Sequence, residues 1–187
     1  MGKLDIIKTD FKDLYIIETK PFEDKRGSFA RLFCQEELKQ NNIDFEIKQI
    51  NHSFTKTKGS IRGLHFQYPP YSESKIIKCI KGEILDIAVD IRYNSPTFLK
   101  YFSIKLSENN NKMILIPKGF AHGFQTLEDD CEIVYFVDEY YNLEFENGLR
   151  YNDEKLNIKW ELEVSDISQK DMNHKLIDND FIGVCVE

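Results

Sequence analysis

Residues 84–92 read Ile-Leu-Asp-Ile-Ala-Val-Asp-Ile-Arg, so apolar residues alternate with mostly charged ones. Successive side chains of a β-strand point to opposite faces, and this alternation therefore predicts a strand with one apolar face. The apolar face consists of Leu85, Ile87, Val89 and Ile91. We interpret it as core. The other face carries Asp86, Asp90 and Arg92, which line either the solvent or a polar cavity; the pattern alone favours solvent.

Similar β-rich runs recur along the chain from residue 14 and are separated by clusters of Gly, Pro, Asn and Asp. Strands are predicted at Leu14–Thr19, Ser28–Cys34, Phe45–Phe54, Lys75–Ile80, Ile84–Ile91, Phe98–Leu106, Lys112–Ile116 and Cys131–Asp138. Only Gln35–Asn41 and the segment after Ser165 have a helical pattern. Short strands at this spacing are typical of a β-sandwich or barrel.

The run from Phe45 to Ser53 suggests a cavity inside that barrel. Gln49, Asn51 and Ser53 continue the face that Phe45 and Ile47 begin, so polar groups extend an apolar face.

The composition fits one globular domain spanning residues 1–187. The chain has 41% hydrophobic residues, which is enough for a core, and 25 basic against 32 acidic residues give a net charge of −7. This acidic balance argues against nucleic acid or anionic membrane as a partner. The N-terminus lacks the apolar run of a signal peptide, and we expect a cytoplasmic protein. The four cysteines form no C-x-x-C pair, so we expect them to be buried small residues.

Two of the four histidines have unusual neighbours. His65 lies in Arg62-Gly63-Leu64-His65-Phe66-Gln67, and His122 lies in Phe120-Ala121-His122-Gly123-Phe124. Glycine within a strand marks a bulge or a close approach to the backbone, so these histidines are site candidates, although each could equally be a hydrogen-bonded core residue. With no H-x-H pair and only His52 as a distant third ligand, a metal site is not expected.

Seven motifs, in order, make the chain resemble the dTDP-4-dehydrorhamnose 3,5-epimerase family over about residues 13–171. The motifs are Asp24-Lys25-Arg26-Gly27, Gln49-Ile50-Asn51-His52-Ser53, Ile61–Gln67, Asp86–Arg92, Ile116–Phe124, Tyr140-Tyr141 and Ser168-Gln169-Lys170-Asp171. The resemblance implies an all-β fold: a cupin-type double-stranded β-helix, or jelly-roll barrel, with short peripheral helices. It also implies an isomerase of deoxysugar biosynthesis that epimerises a nucleotide-linked 4-keto-6-deoxyhexose.

The resemblance assigns three catalytic residues. His65 matches the family's base, Asp171 its carboxylate partner, and Tyr135 its acid. Because the C4 ketone acidifies the hydrogens on C3 and C5, proton removal on one face and return on the other suffices, and we expect no cofactor and no metal. From the pattern alone, Tyr135 would be an ordinary core aromatic residue, since it shares a face with Cys131, Ile133 and Val137.

The resemblance also implies a set of ligand-contacting residues, of which Tyr141 would stack on the nucleotide base. The others are Arg26, Gln49, Asn51, Arg62, Lys75, His122, Glu146 and Lys170. One position departs from the family, because Arg31 stands where rhamnose-pathway members carry glutamate. Arg31 shares a face with Phe29 and Phe33, so we expect either a contact with substrate or an ion pair with a nearby carboxylate.

The expected partners are a nucleotide-diphosphate 4-keto-6-deoxy sugar as substrate and a second copy in a homodimer. Arg31 leaves open an epimerase of one centre or a CDP- or GDP-linked substrate. A ketoisomerase, a metal-dependent cupin and a non-catalytic sugar-nucleotide-binding module on the same scaffold are the remaining alternatives.

Overall fold

The computed structural model describes residues 3–186, and these form thirteen strands and two short helices. The strands are β1 (Leu4–Lys8), β2 (Tyr15–Thr19), β3 (Phe22–Asp24), β4 (Gly27–Phe29), β5 (Gln49–Thr55), β6 (Ile61–Gln67), β7 (Lys75–Lys81), β8 (Glu83–Asp90), β9 (Tyr101–Ser107), β10 (Lys112–Ile116), β11 (Phe120–Thr126), β12 (Cys131–Val137) and β13 (Glu146–Gly148). The helices are α1 (Gln35–Gln40) and α2 (Gln169–Met172). Within the described range, neither helix is long and apolar enough to span a bilayer.

Two antiparallel sheets face each other. The six-stranded sheet has the order β1-β2-β10-β7-β12-β5, the five-stranded sheet has the order β13-β6-β11-β8-β9, and β3 and β4 form a separate hairpin. A core that includes Ile77, Ile84, Phe124 and Ile133 fills one part of the space between the sheets. This arrangement confirms the predicted all-β, jelly-roll architecture with peripheral helices.

The outer faces of both sheets are also covered in part. Helix α1 contributes Leu38 to a cluster with Phe45 and Phe136 on the six-stranded sheet. The C-terminal segment, through residues such as Leu156 and Val184, packs on the five-stranded sheet. Where a sheet is covered on both faces, a polar side chain is buried and therefore needs a hydrogen-bond partner.

Strand β8 shows why one prediction was wrong. Its alternation is as expected, and the apolar face with Ile87 and Val89 is core, since it packs under the C-terminal segment. Asp86 and Asp90 are fully buried, so the charged face is not solvent-exposed. Asp90 accepts hydrogen bonds from Arg92, Ser95 and Thr97, which compensates for its burial.

Most predicted strands are present, but their bounds differ. The predicted Ser28–Cys34 strand ends at Phe29, because the chain then turns to pack Phe33 beside Phe45 under α1. The predicted strands from Phe45 and Phe98 begin later, at Gln49 and Tyr101. Five strands were not predicted: β1, β3, β6, β11 and β13.

Candidate active site

A main cavity of about 410 Å³ lies between the two sheets. Strands β6 and β11 of the five-stranded sheet contribute His65 and His122 to it, while β7 and β12 of the six-stranded sheet contribute Lys75 and Tyr135. The predicted base and the predicted acid therefore stand on opposing sheets around one cavity.

Two glycines bring the histidine strands together. A Cβ on Gly63 would lie 2.6 Å from the carbonyl oxygen of His122, and a Cβ on Gly123 would lie 2.6 Å from that of Arg62. The register pairs His65 with His122 and shifts between His122 and Phe124. The expectation that glycine here marks a close backbone approach and an irregular strand is confirmed.

His65 and Asp171 form a hydrogen-bonded pair. His65 Nε2 lies 2.7 Å from Asp171 Oδ1, and the backbone N–H of Gly63 donates to Asp171 Oδ2 at 3.1 Å. Burial raises the pKa of Asp171, but the hydrogen bond and charge of His65 outweigh burial and hold the pKa below its ordinary value. Because an ionised carboxylate only accepts, His65 donates from Nε2, and in the neutral imidazole this places the lone pair on Nδ1.

Helix α2 holds Asp171 in place. The hydroxyl of Ser168 accepts a hydrogen bond at 3.0 Å from the Asp171 backbone N–H and so caps the helix. The Ser-x-Lys-Asp stretch is therefore both the helix start and the source of the carboxylate.

The family model described as dTDP-4-dehydrorhamnose 3,5-epimerase matches residues 8–179 of the chain. The chain belongs to that family. The protein of that name from Shigella flexneri is 42% identical over 182 residues, which is 95% of this chain and 99% of the relative. The resemblance inferred from the motifs is confirmed.

Solved structures of epimerases agree. The dTDP-4-dehydrorhamnose 3,5-epimerase from Bacillus anthracis, with TDP and PPi bound, has a TM-score of 0.91 at 37% identity, covering 94% of this chain and 100% of its own. A dTDP-6-deoxy-D-glucose-3,5-epimerase from Legionella pneumophila, in complex with dTDP-4-keto-L-rhamnose, has a TM-score of 0.91 at 36% identity, covering 99% of this chain and 100% of its own. Members of this epimerase family are isomerases.

A side cavity of about 320 Å³ shares His65, Lys75 and Tyr135 with the main cavity of this epimerase-family chain. Gln49, Asn51, Tyr141 and Glu146 also line it, so the predicted polar cavity along β5 is confirmed. The Tyr141 backbone N–H donates to Gln49 Oε1 at 2.8 Å, which ties the loop after β12 to β5.

Charged groups at the cavities are paired with one another. Lys170 Nζ lies 2.6 Å from Glu146 Oε1, and the Tyr141 hydroxyl donates to Glu146 Oε2 at 2.8 Å. Burial raises the pKa of Glu146, but these two hydrogen bonds hold the pKa below its ordinary value. The same bond to Glu146 raises the pKa of Tyr141.

Hydrogen bonds and an ion pair within the protein hold Arg62 and Lys75, two cationic side chains that line the main cavity. Arg62 donates from Nε to the Thr55 hydroxyl at 2.8 Å and from a terminal nitrogen to the Phe54 carbonyl at 3.0 Å. Lys75 Nζ lies 3.0 Å from Glu73, with both side chains mostly buried. These contacts hold both positive charges at the wall of the main cavity.

His122 has a buried carboxylate partner of its own. Its Nε2 lies 2.9 Å from Asp86 Oδ2, and Asp86 comes from the face of β8 that the pattern assigned to solvent. Because the cross-strand register places His122 beside His65, Asp86 supports the same cavity.

Two predicted ligand-contacting residues line neither cavity. Arg26 lies on the exposed β3–β4 turn and forms an ion pair with Asp24 at 2.6 Å. Arg31 forms an ion pair with Glu37 of α1, and Glu37 also accepts from the Leu4 backbone N–H at 2.7 Å. The structure thus gives Arg31 the ion pair that was the alternative to a substrate contact.

Two residues that line the side cavity, and one histidine that lines neither cavity, were missed from the sequence. Gln67 lines the side cavity and its Oε1 accepts from the Asn142 backbone N–H at 2.6 Å, although it ends a motif that was noticed. Glu73 was detectable only as a carboxylate two residues before Lys75. His174 was counted but not assigned, and it lies 3.8 Å from Asp171 Oδ1.

The structure does not bring His52, His65 and His122 together, the three histidines that the sequence offered as metal ligands. His52 is exposed on the outer face of β5 and pairs with Glu132 at 3.0 Å, away from His65 and His122. In the described residues, the potential ligand atoms that converge are those of His65, Asp171 and His174, all within 4.8 Å of one another. Burial lowers the pKa of His174, and the charge of His65 lowers it further.

Proposed function

We propose that this protein is a dTDP-4-dehydrorhamnose 3,5-epimerase that inverts C3 and C5 of a dTDP-linked 4-keto-6-deoxyhexose without a cofactor. The observation that carries the proposal is the placement of His65, with Asp171 behind it, and Tyr135 on opposing sheets of one cavity. Inversion requires an acid and a base on opposite sides of the sugar ring. The relatives supply the substrate class, since one solved epimerase of similar structure holds dTDP-4-keto-L-rhamnose.

His65 is the proposed base. The C4 ketone acidifies the adjacent C–H bonds, and the lone pair on His65 Nδ1 takes the proton as the electrons move to the ketone oxygen. The carboxylate of Asp171 then stabilises the imidazolium through the bond from Nε2. The helix cap at Ser168 fixes Asp171, and Asp171 in turn orients the imidazole of His65.

Lys75 and Tyr135 are the proposed partners of the enolate. A cationic Nζ near the developing oxyanion stabilises it in a cavity of limited solvent access, where electrostatic effects are strong. Tyr135 then donates its hydroxyl proton to the carbon from the opposite face, and inversion results. Proton exchange with solvent then returns His65 and Tyr135 to their starting protonation states.

The nucleotide is proposed to occupy the side cavity and its mouth. Arg62, at the wall of the adjoining main cavity, offers its remaining guanidinium N–H groups to the diphosphate, and Tyr141 offers an exposed aromatic ring for stacking on the base. Gln49, Asn51, His122, Glu146 and Lys170 are proposed to contact the ligand as well. Arg26 stays a prediction without support from its position.

The decisive experiment uses dTDP-, CDP- and GDP-linked 4-keto-6-deoxyglucose in deuterated water, with deuterium located by NMR. We expect deuterium at both C3 and C5 with the dTDP compound, and none with His65→Asn. Deuterium at one centre would identify a single-centre epimerase, and preference for CDP or GDP would change the nucleotide. A moved keto group would indicate a ketoisomerase, and binding without exchange a binding module.

We also propose a homodimer. Strand β5 is an edge of the six-stranded sheet, and its outward Ile50 and Phe54, together with Ile80 of β7, are exposed. Exposed apolar residues beside an unpaired strand edge favour association. Sedimentation should show a dimer that Ile50→Glu weakens, whereas Ile182→Glu, at an exposed position away from β5, should leave it intact.

A further inference from the structure

His174 is a half-buried histidine that the proposed reaction does not use. It follows α2, and its ring packs on Gly148, where a Cβ would lie only 2.2 Å from Nε2. In the described residues, Nε2 is buried and has no hydrogen-bond partner. A buried nitrogen without a partner is costly, so a ligand that used it would recover free energy.

Two further ligand atoms lie beside it. His174 Nε2 is 3.8 Å from Asp171 Oδ1, which is itself 2.7 Å from His65 Nε2. The ligand atoms of the three residues all lie within 4.8 Å of one another. Two imidazoles and a carboxylate are a common donor set for Zn²⁺ with a fourth position left open.

We infer that His65, Asp171 and His174 form a site for a divalent transition metal such as Zn²⁺, and that the metal switches the protein off. With Zn–ligand bonds of about 2.0 to 2.1 Å, ligand atoms of a tetrahedral site lie roughly 3.3 Å apart. The His65–Asp171 and Asp171–His174 separations, 2.7 and 3.8 Å, lie on either side of that value, and the third separation is at most 4.8 Å. Small side-chain shifts would therefore bring the three ligand atoms to tetrahedral spacing.

The inhibitory effect follows from the tautomer of His65 and rests on the proposed function. When the imidazole is neutral and no metal is bound, the bond from Nε2 to ionised Asp171 leaves the lone pair on Nδ1. Zn²⁺ on Nε2 requires a lone pair there, so the proton moves to Nδ1 and the ring stays neutral. Nδ1 then cannot accept a proton from the sugar, and Asp171 no longer accepts from His65.

The test measures binding and turnover separately. Chelator-treated protein is titrated with ZnCl₂ by calorimetry and with CoCl₂ by visible absorption, and epimerisation is assayed at each Zn²⁺ concentration. We expect one metal per chain and reversible inhibition that chelator removes. His174→Ala should keep its metal-free turnover but bind Zn²⁺ at least about tenfold more weakly, since even loss of a supporting group costs that much. His52→Ala is the matched control, because His52 is exposed and paired elsewhere.

The outcomes separate the two proposals. Unchanged Zn²⁺ binding in His174→Ala, or no binding to the wild type, would refute the metal site. Binding without loss of turnover would refute the switch. If His174→Ala fails to fold, His174→Leu fills the same space without a ligand atom and gives the same comparison. Should the wild type turn over no nucleotide sugar, the proposed function fails, while calorimetry and the Co²⁺ spectrum still decide whether the site exists.

Discussion

Replacing Asp171 by asparagine tests the His65–Asp171 pair with little change of shape. In the wild type, the two carboxylate oxygens of Asp171 accept from His65 Nε2 at 2.7 Å and from the Gly63 N–H at 3.1 Å. An amide has only one oxygen, so its NH₂ group must face one of these two donors. If it faces His65, the imidazole adopts the tautomer with the proton on Nδ1, which cannot act as the base.

The magnitude follows from the bond that is lost. A hydrogen bond to a charged group contributes about 1.5 to 3 kcal/mol, so its loss should lower kcat roughly ten- to a hundredfold. This is less than the effect expected for loss of the base itself. Because one buried donor is left unsatisfied, the free energy of unfolding should also fall by about 1 to 3 kcal/mol.

The assay follows deuterium incorporation at C3 and C5 by NMR at saturating substrate, with thermal unfolding measured in parallel. Asp166→Asn is the control, because Asp166 is an exposed carboxylate that lines the same cavity. We expect Asp166→Asn to keep wild-type exchange. An Asp171→Asn rate within twofold of wild type would remove Asp171 from the mechanism.

Four further outcomes are expected. His65→Asn should lower turnover and exchange by at least about 10² to 10⁴ with the fold retained by circular dichroism, and wild-type exchange in this variant would refute the base assignment. Tyr135→Phe should lose epimerisation while keeping exchange, since His65 can return the proton to its original face; equal loss of both, at normal substrate affinity, would assign Tyr135 another role. Because the pKa of Asp171 is lowered in the folded state, the ionised carboxylate stabilises the fold fully at pH values above the ordinary carboxyl pKa of about 4. Thermal stability should therefore fall below that pH more steeply in wild type than in Asp171→Asn. Parallel curves would contradict this. Arg31→Glu would place two carboxylates together beside α1, so the melting temperature of this variant should fall. Its kcat/KM ratios across dTDP-, CDP- and GDP-linked substrates should stay within about twofold of wild type. A tenfold change in these ratios would instead support a contact between Arg31 and the substrate.

The sequence was informative where the signal is local. The alternation in Cys131–Val137 and Ile84–Ile91 predicted β12 and β8 closely, because the period of a strand is a property of the backbone. It was uninformative for β6 and β11, whose glycines lower strand propensity. Their pairing across Gly63 and Gly123 becomes visible only when the two backbones meet.

The sequence by itself determined the family and many of the polar residues that line the cavities, since motifs in a given order are a property of the chain. The tertiary structure decided which face of β8 points between the sheets. The C-terminal segment covers the apolar face, and Asp86 on the other face pairs with His122. The tertiary structure also brought Asp171 to His65 across 106 residues of sequence and placed the unpartnered His174 beside both. Contacts between segments this distant depend on how sheets and helices pack, which no local pattern encodes.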